Sequence, residues 1–280
     1  MRTLRGVAVA AAAVAAATVT SGCNVTFSAE THRETRSHTL SATFTKLRVS
    51  ADDKVEVVGT DTPRVRIVEY LSWSNPNNKP RTTRTLRDGT LTLETKCSRV
   101  VIGFNGCGAG YRVEVPRATA VDLEAEDASV RVSGLTGDSM RLHSDSGSVI
   151  AENIRTKALT VSVNSGGLKV SGHAERAVLR SDSGSVQADG LAGRYVKVRA
   201  NSGSVRVGLT TVPDNVDIDN DSGSVRLTLP VVDRGYAFTL RTDSGGRTIA
   251  PALRRNDASP HRVKVTNDSG AIDITAASAA

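Results

Sequence analysis

The chain has 280 residues, a formal net charge of +7 and 39% hydrophobic residues, but only 3% aromatics. A core made from it must be Val, Leu, Ile and Ala, which fill thin layers well, whereas a wide ligand pocket usually has aromatic lining. Long charge blocks are missing, and no long apolar run follows Val19.

The first 22 residues read as a targeting segment. Arg2 and Arg5 precede an apolar run from Gly6 to Val19, and Thr20-Ser21-Gly22-Cys23 follows. Charge, apolar stretch and small residues in that order form a secretory signal, excluded from the fold. The run is shorter than the roughly 20 apolar residues that span a bilayer. A Cys directly after small residues resembles a bacterial lipoprotein cleavage site, in which Cys23 becomes the lipidated first residue. Thr20 departs from that pattern, since Leu is usual three places before the Cys. Ordinary cleavage that leaves a stray Cys is the alternative. Removing the segment leaves 258 residues and a formal charge of +5. Residues 23–42 are then a polar tether, with Glu30, Arg33, Glu34 and Arg36.

Strands are expected from 43 to 117. Phe44–Val49, Val55–Val57, Val65–Tyr70, Thr90–Glu94 and Tyr111–Val115 alternate apolar and polar residues with period two. Cys97 and Cys107 flank a loop containing Gly103, Asn105 and Gly106. In an exported chain with three cysteines, pairing these two leaves Cys23 free for lipid. A metal site is the rival reading, weakened because no His lies near either Cys in sequence.

From 118 to 275 a repeat dominates. Gly147, Gly166, Gly184, Gly203, Gly223, Gly245 and Gly270 each follow Asp-Ser or Asn-Ser, at spacings of 19, 18, 19, 20, 22 and 25 residues. A period near 19 marks a stacked repeat. Apolar residues stand seven and five places before each Gly and two and four places after it, except that Arg247 precedes Ile249. Ala128 fits as a degenerate first copy. That pattern predicts two half-buried strands per repeat with Gly at a positive-φ corner. The expected fold is all-β: a β-solenoid of two-strand coils, with the region 43–117 capping one end and 276–280 as a tail. A meander of antiparallel hairpins is the alternative, but it has no reason to hold so even a length. In a stack the corner Asp and Asn fall in one column and should form a ladder. Gly270 should then mark the terminal coil.

Thr242-Asp243-Ser244-Gly245-Gly246 is similar to a chymotrypsin-type nucleophile segment, but every repeat carries its sibling, and none of His32, His38, His143, His173 or His261 sits in a base motif. One Asp or Asn per coil falls short of the nonapeptide calcium roll. No metal, cofactor or nucleic acid is expected. Basic residues recur at outward positions: Arg141, Arg180, Lys197, Arg199, Arg241 and Lys264 before the glycines, and Lys169, Arg206 and Arg226 after them. Such stripes either keep the surface soluble or bind polyanions, which outside a membrane are wall polymers and lipid head groups.

The repeated [Asp/Asn]-Ser-Gly-Ser-Val, as in Asp182–Val186 and Asn201–Val205, with Tyr111-Arg112-Val113-Glu114-Val115-Pro116 ahead of it, resembles an exported bacterial β-strand-repeat family of unknown function whose members are described as candidate adhesins. The resemblance covers roughly residues 44–275. It implies a solenoid-like fold on exported proteins and supplies no catalytic residues. The leading expectation is a lipoprotein at the outer face of the cytoplasmic membrane, with a binding or structural module facing the envelope. A polysaccharide-active solenoid enzyme is the second, with Asp217 and Asp219 near Arg199 and Arg241 as its only carboxylate group of note. A partner protein of an envelope-signalling system is the third.

Overall fold

The structure is a computed structural model that describes residues 31–41, 43–97 and 106–277. Cys23 and the signal-type segment lie outside these residues. The strands are β1 (His32–Leu40), β2 (Lys46–Ala51), β3 (Val55–Thr60) and β4 (Val65–Trp73), then β5 (Arg81–Arg87), β6 (Thr90–Lys96) and β7 (Cys107–Pro116). Next come β8 (Ala120–Ala125), β9 (Val130–Ser133) and β10 (Ser139–Ser144). β11 (Val149–Ser165) and β12 (Leu168–Ser183) each run from one face to the other without a break. β13 (Val186–Ala192), β14 (Tyr195–Ser202), β15 (Val205–Leu209), β16 (Asn215–Ser222) and β17 (Val225–Leu229) follow. The last four are β18 (Ala237–Ser244), β19 (Arg247–Ile249), β20 (Arg262–Ser269) and β21 (Ile272–Ala276).

The repeats stack as a parallel β-solenoid. Strands before the corner pair with one another in register, Met140 with Leu159 and Ala177 with Val196, and strands after it do the same, Val149 with Leu168 and Val186 with Val205. Parallel pairing rules out the hairpin meander. Alternate side chains from both sheets point inward and make one thin core, in which Leu142, Val161, Leu179, Val198, Ile218 and Val265 are fully buried. Val and Ile suit this position because a branched Cβ packs well on a pleated surface.

Coil order differs from chain order at both ends. β20 pairs with β16 on one side and β18 on the other, and β21 lies likewise between β17 and β19. The coil of Gly270 is therefore internal, and the coil of Gly245 is outermost. The expectation that Gly270 is terminal is wrong. The spacings of 22 and 25 give the reason: extra chain is needed to skip a level and return. The other end mirrors this. β2 lies between β6 and β8, and β3 between β7 and β9, so the coil of β6 and β7 is outside that of β2 and β3. Residues 43–117 thus contribute two coils as well as a cap, and the stack runs on across residue 117.

β1 corrects the tether reading from residue 32 onward. It pairs antiparallel with β4, which pairs antiparallel with β7, while β5 pairs antiparallel with β6. The strand carries His32, Glu34, Arg36 and His38 at alternate positions, so the sequence shows polar character where an apolar period was sought. Charged residues on an edge strand discourage pairing with another chain. At the far end Arg247 Nη1 donates to the Leu240 carbonyl at 3.1 Å and Arg255 Nη2 to the Phe238 carbonyl at 3.4 Å. Arg247 breaks the repeat pattern because its coil has no neighbour below, and its guanidinium covers the open edge instead.

The corner glycines form a column. A Cβ on Gly184 would collide with the Gly166 carbonyl oxygen, and one on Gly203 with that of Gly184. Gly184 also has φ +139°, in a region that other residues avoid. Its N–H donates to the Ser202 carbonyl at 2.9 Å, one link in the ladder that runs down the corner. Gly147 departs from the expected positive φ; its requirement is space alone, against the Ala128 carbonyl.

Candidate functional site

The strand period places the residues six and four before each glycine on the outer face of the first sheet. Pairing sets them in two rows. In one, Lys197 lies beside Val178 and Asp217, and Asp217 beside Lys264. In the other, Arg180 lies between Ser162 and Arg199, and Arg199 beside Asp219. Neighbouring strands are about 4.8 Å apart, so these side chains are within reach of one another.

Arg199 binds two carboxylates, Asp217 at 2.9 Å and Asp219 at 3.4 Å. The coil of Asp217 and Asp219 divides the cations into two groups. Arg180, Lys197 and Arg199 lie on one side, Lys264 and Arg241 on the other. Arg141 lies further along the first row, between Asp122 and Thr160. Among the described residues, Arg141, Arg180, Lys197, Arg241 and Lys264 have no ion pair within 4.0 Å. On the second sheet Lys169 is paired with Glu152 at 3.0 Å and Arg226 with Asp273 at 3.2 Å. Asp273 is held below the usual carboxylate range by the Thr248 hydroxyl and then by Arg226.

Tyr195 adds a feature that sequence reading missed. Its ring lies under the Arg176 guanidinium at 4.7 Å, with Arg194 at 5.8 Å. Beside it, Arg176, Val178, Lys197, Asn215 and Asp217 line a groove of about 230 Å³. Val178 is short beside Lys197, and this leaves the space. The sequence signal was available: Tyr195 is among only four tyrosines and stands outside the repeat positions.

The repeat also assembles a serine, a histidine and an aspartate. His143 Nδ1 is 2.8 Å from Ser162 Oγ, and His143 Nε2 is 3.0 Å from Asp145 Oδ1. His143 and Ser162 are register partners on adjacent coils. A nucleophile also needs donors aimed at a developing oxyanion. Here the neighbouring backbone amides belong to the sheet ladder. The arrangement therefore polarises a hydroxyl on an open sheet.

The corner Asp and Asn side chains sit at the exposed edge of the column. Asn164 Nδ2 donates to Asp145 Oδ1 at 2.5 Å, one link of the expected ladder, and among the described residues the other corner Asp and Asn side chains make no such bond. An inner ladder lies one residue earlier and points inward, interrupted by Val163 and Ala200. Ser144, Ser181, Asn220 and Asn267 are buried there, and Ser144 Oγ donates to the Ala128 carbonyl at 2.8 Å. At the β1 end Cys97 and Cys107 are joined by a disulfide that closes the loop between β6 and β7. Glu34 has its pKa lowered to about 2 by hydrogen bonds from Arg36 and Lys79. Among the described residues no group of three or more His, Cys, Asp or Glu could hold a metal ion.

The Toastrack DUF4097 family profile matches residues 23–279. The chain belongs to the Toastrack DUF4097 family. A crystal structure of a candidate adhesin from Bacteroides fragilis matches this Toastrack chain with TM-score 0.53 and 17% identity, over 87% of this chain and 97% of that one. At that identity the likeness shows the fold. A protein from Parabacteroides distasonis, described as a candidate lipid-binding protein, matches with TM-score 0.44 and 15% identity, over 88% and 97%. A candidate adhesin from Parabacteroides merdae matches with TM-score 0.40 and 12% identity, over 88% and 96%. No curated protein matches the sequence.

Proposed function

We propose that this Toastrack protein is a cell-surface lipoprotein whose solenoid binds anionic envelope polymers through the outer face of its first sheet. The observation that carries the reading is a pair of cations on adjacent coils, Arg180 and Lys197, that have no ion pair among the described residues, with Lys197 also lining the groove beside Tyr195. Cations set at a coil repeat of about 4.8 Å suit a long polymer with many weak contacts better than one small anion. The adhesin description of the Bacteroides fragilis relative agrees with a surface binding role. Lipid on Cys23 would hold the module at the membrane, and two or more acyl chains suffice for stable attachment.

A glycan-active enzyme is the second reading, favoured by one feature: Asp217 and Asp219 both reach the same Arg199. Their shared guanidinium ties both carboxylates down and offsets half of their charge, which suits a structural ion pair better than acid–base work. The test is a pull-down of the full chain with cell-wall fractions, beside a screen for glycan hydrolysis and for labelling of Ser162 by a fluorophosphonate. Retention on anionic wall polymer, with no turnover and no label, supports binding. Turnover lost in Asp217→Asn would establish the enzyme instead. Cell fractionation of Cys23→Ser tests the anchor: unchanged partition into detergent contradicts it.

A further inference from the structure

The second sheet carries a different feature near the β1 end. Pairing places Thr35, Tyr70 and Gly110 side by side on β1, β4 and β7. Thr35 and Tyr70 project outward, and Gly110 leaves a gap in the row. A Cβ at Gly110 would crowd the Lys54 backbone carbonyl, so packing keeps the gap open. The result is a depression of about 450 Å³ lined by Asp53, Lys54, Glu56, Tyr70, Gly110 and Arg112. That volume lies within the usual range for small-ligand sites.

Tyr70 forms one wall and is 48% exposed. The chain has four tyrosines, and the other three have evident structural partners. Tyr111 shares a hydrogen bond with Thr95 at 2.9 Å, Tyr236 donates to the Pro230 carbonyl at 2.7 Å, and Tyr195 lies against Arg176. Among the described residues the Tyr70 side chain makes no hydrogen bond and no ring contact.

The rim is charged yet balanced. Glu56 accepts from Lys54 at 3.2 Å and from Arg112 at 2.9 Å, and Asp53 accepts from Ser72 at 3.2 Å. Two carboxylates and two cations give no net charge. Each of these groups keeps donors or acceptors beyond its present bonds. An anion would meet Asp53 and Glu56, and a cation would meet Lys54 and Arg112. A lipid chain would need a wider apolar wall. What remains is an uncharged molecule with one flat C–H face for the electron-rich face of the ring and a circle of hydroxyls for the rim.

We propose that this depression is a binding subsite for a neutral saccharide, with one pyranose ring stacked on Tyr70. The hydroxyls of that ring donate to Asp53 and Glu56 and accept from Lys54 and Arg112. The site is on the opposite sheet from the cations around Tyr195, so it stands whether or not the polyanion reading does.

The test uses the full chain, purified in a non-glycosidic detergent, with ¹³C-labelled tyrosine rings. Maltohexaose, laminarihexaose and chitohexaose are the probes, with choline as a cationic competitor. The expected result is that at least one glycan shifts the Tyr70 ring signal and leaves Tyr195 and Tyr236, which lie away from the depression, in place. Tyr70→Ala should weaken that binding at least tenfold, and Tyr70→Trp should restore it. Tyr70 is half exposed, so neither variant should disturb the fold, and the retained signals of buried Tyr236 check this. The proposal is overturned if none of the three glycans moves Tyr70, if Tyr70→Ala binds as before, or if choline alone shifts the ring.

Discussion

Asn220 donates from Nδ2 to Asn267 Oδ1 at 2.8 Å, though 47 residues separate them in the chain. Both side chains are buried, and Asn267 Nδ2 donates in turn to the carbonyls of Gly223 and Gly270 at 3.0 and 2.8 Å. The pair joins two coils that become neighbours only because the last coil of the sequence slips inside the one before it. Backbone carbonyls at the corner, which face the core, thereby gain donors.

Asn267→Ala should cost about 1–3 kcal/mol, because Asn220 and the Gly270 carbonyl each lose a partner and the Gly223 carbonyl keeps only the 3.3 Å bond from Asn220. Asp268→Ala, the next residue and exposed, should change stability by less than about 0.5 kcal/mol. Urea denaturation of the two variants makes the comparison. Equal small losses would mean that the inner ladder does not stabilise the stack.

Coil order gives a sharper test than coil existence. Gly184→Val and Gly270→Val should both be severe, since each glycine lies between two coils and has positive φ. Strain alone costs about 1–3 kcal/mol. Gly245→Val meets the same positive φ and a collision with the Gly270 carbonyl, but its outermost coil disturbs one neighbour and not two, so it should cost less. If chain order governed the stack, Gly270→Val would be the mildest of the three.

Most of the stack was legible in the sequence. The period of the glycines, and the apolar pairs on each side of them, placed two inward-facing strands per coil because strand alternation is a local rule. Position in the stack is not local. Only the spacings of 22 and 25, together with Arg247 at an inward position, hinted at the exchange of the last two coils. β1 was missed because the open end of a solenoid favours His32, Glu34, Arg36 and His38 over apolar residues. Tyr195 and Tyr70 stand outside the repeat pattern, and their neighbours come from other coils, so neither groove could be read from spacing.

Burial pushes the phenols of Tyr111 and Tyr236 up to about 12 each. The sign follows directly. Below about pH 10, where an exposed phenol keeps its proton, folded and unfolded chains carry the same protons on these groups. Between about 10 and 12 the unfolded chain ionises first, so stability falls as pH rises. Urea midpoints measured across this range should hold up to about pH 9.5 and then drop. The drop should be shallower in a Tyr111→Phe, Tyr236→Phe double variant. Ring signals of both tyrosines titrating near pH 10 in the folded chain would contradict this.

The most direct measurement of the binding account is the salt dependence of binding to immobilised polyphosphate between 50 and 200 mM salt. With Arg180→Glu and Lys197→Glu combined, affinity should fall at least tenfold at the lowest salt. The slope of log affinity against log salt should drop by roughly one to two, since each lost phosphate contact releases about one counterion fewer. Arg206→Glu, on the opposite sheet, should leave both values unchanged. An unchanged slope in the double variant, or an equal loss in Arg206→Glu, would contradict a polymer-binding role for the first sheet.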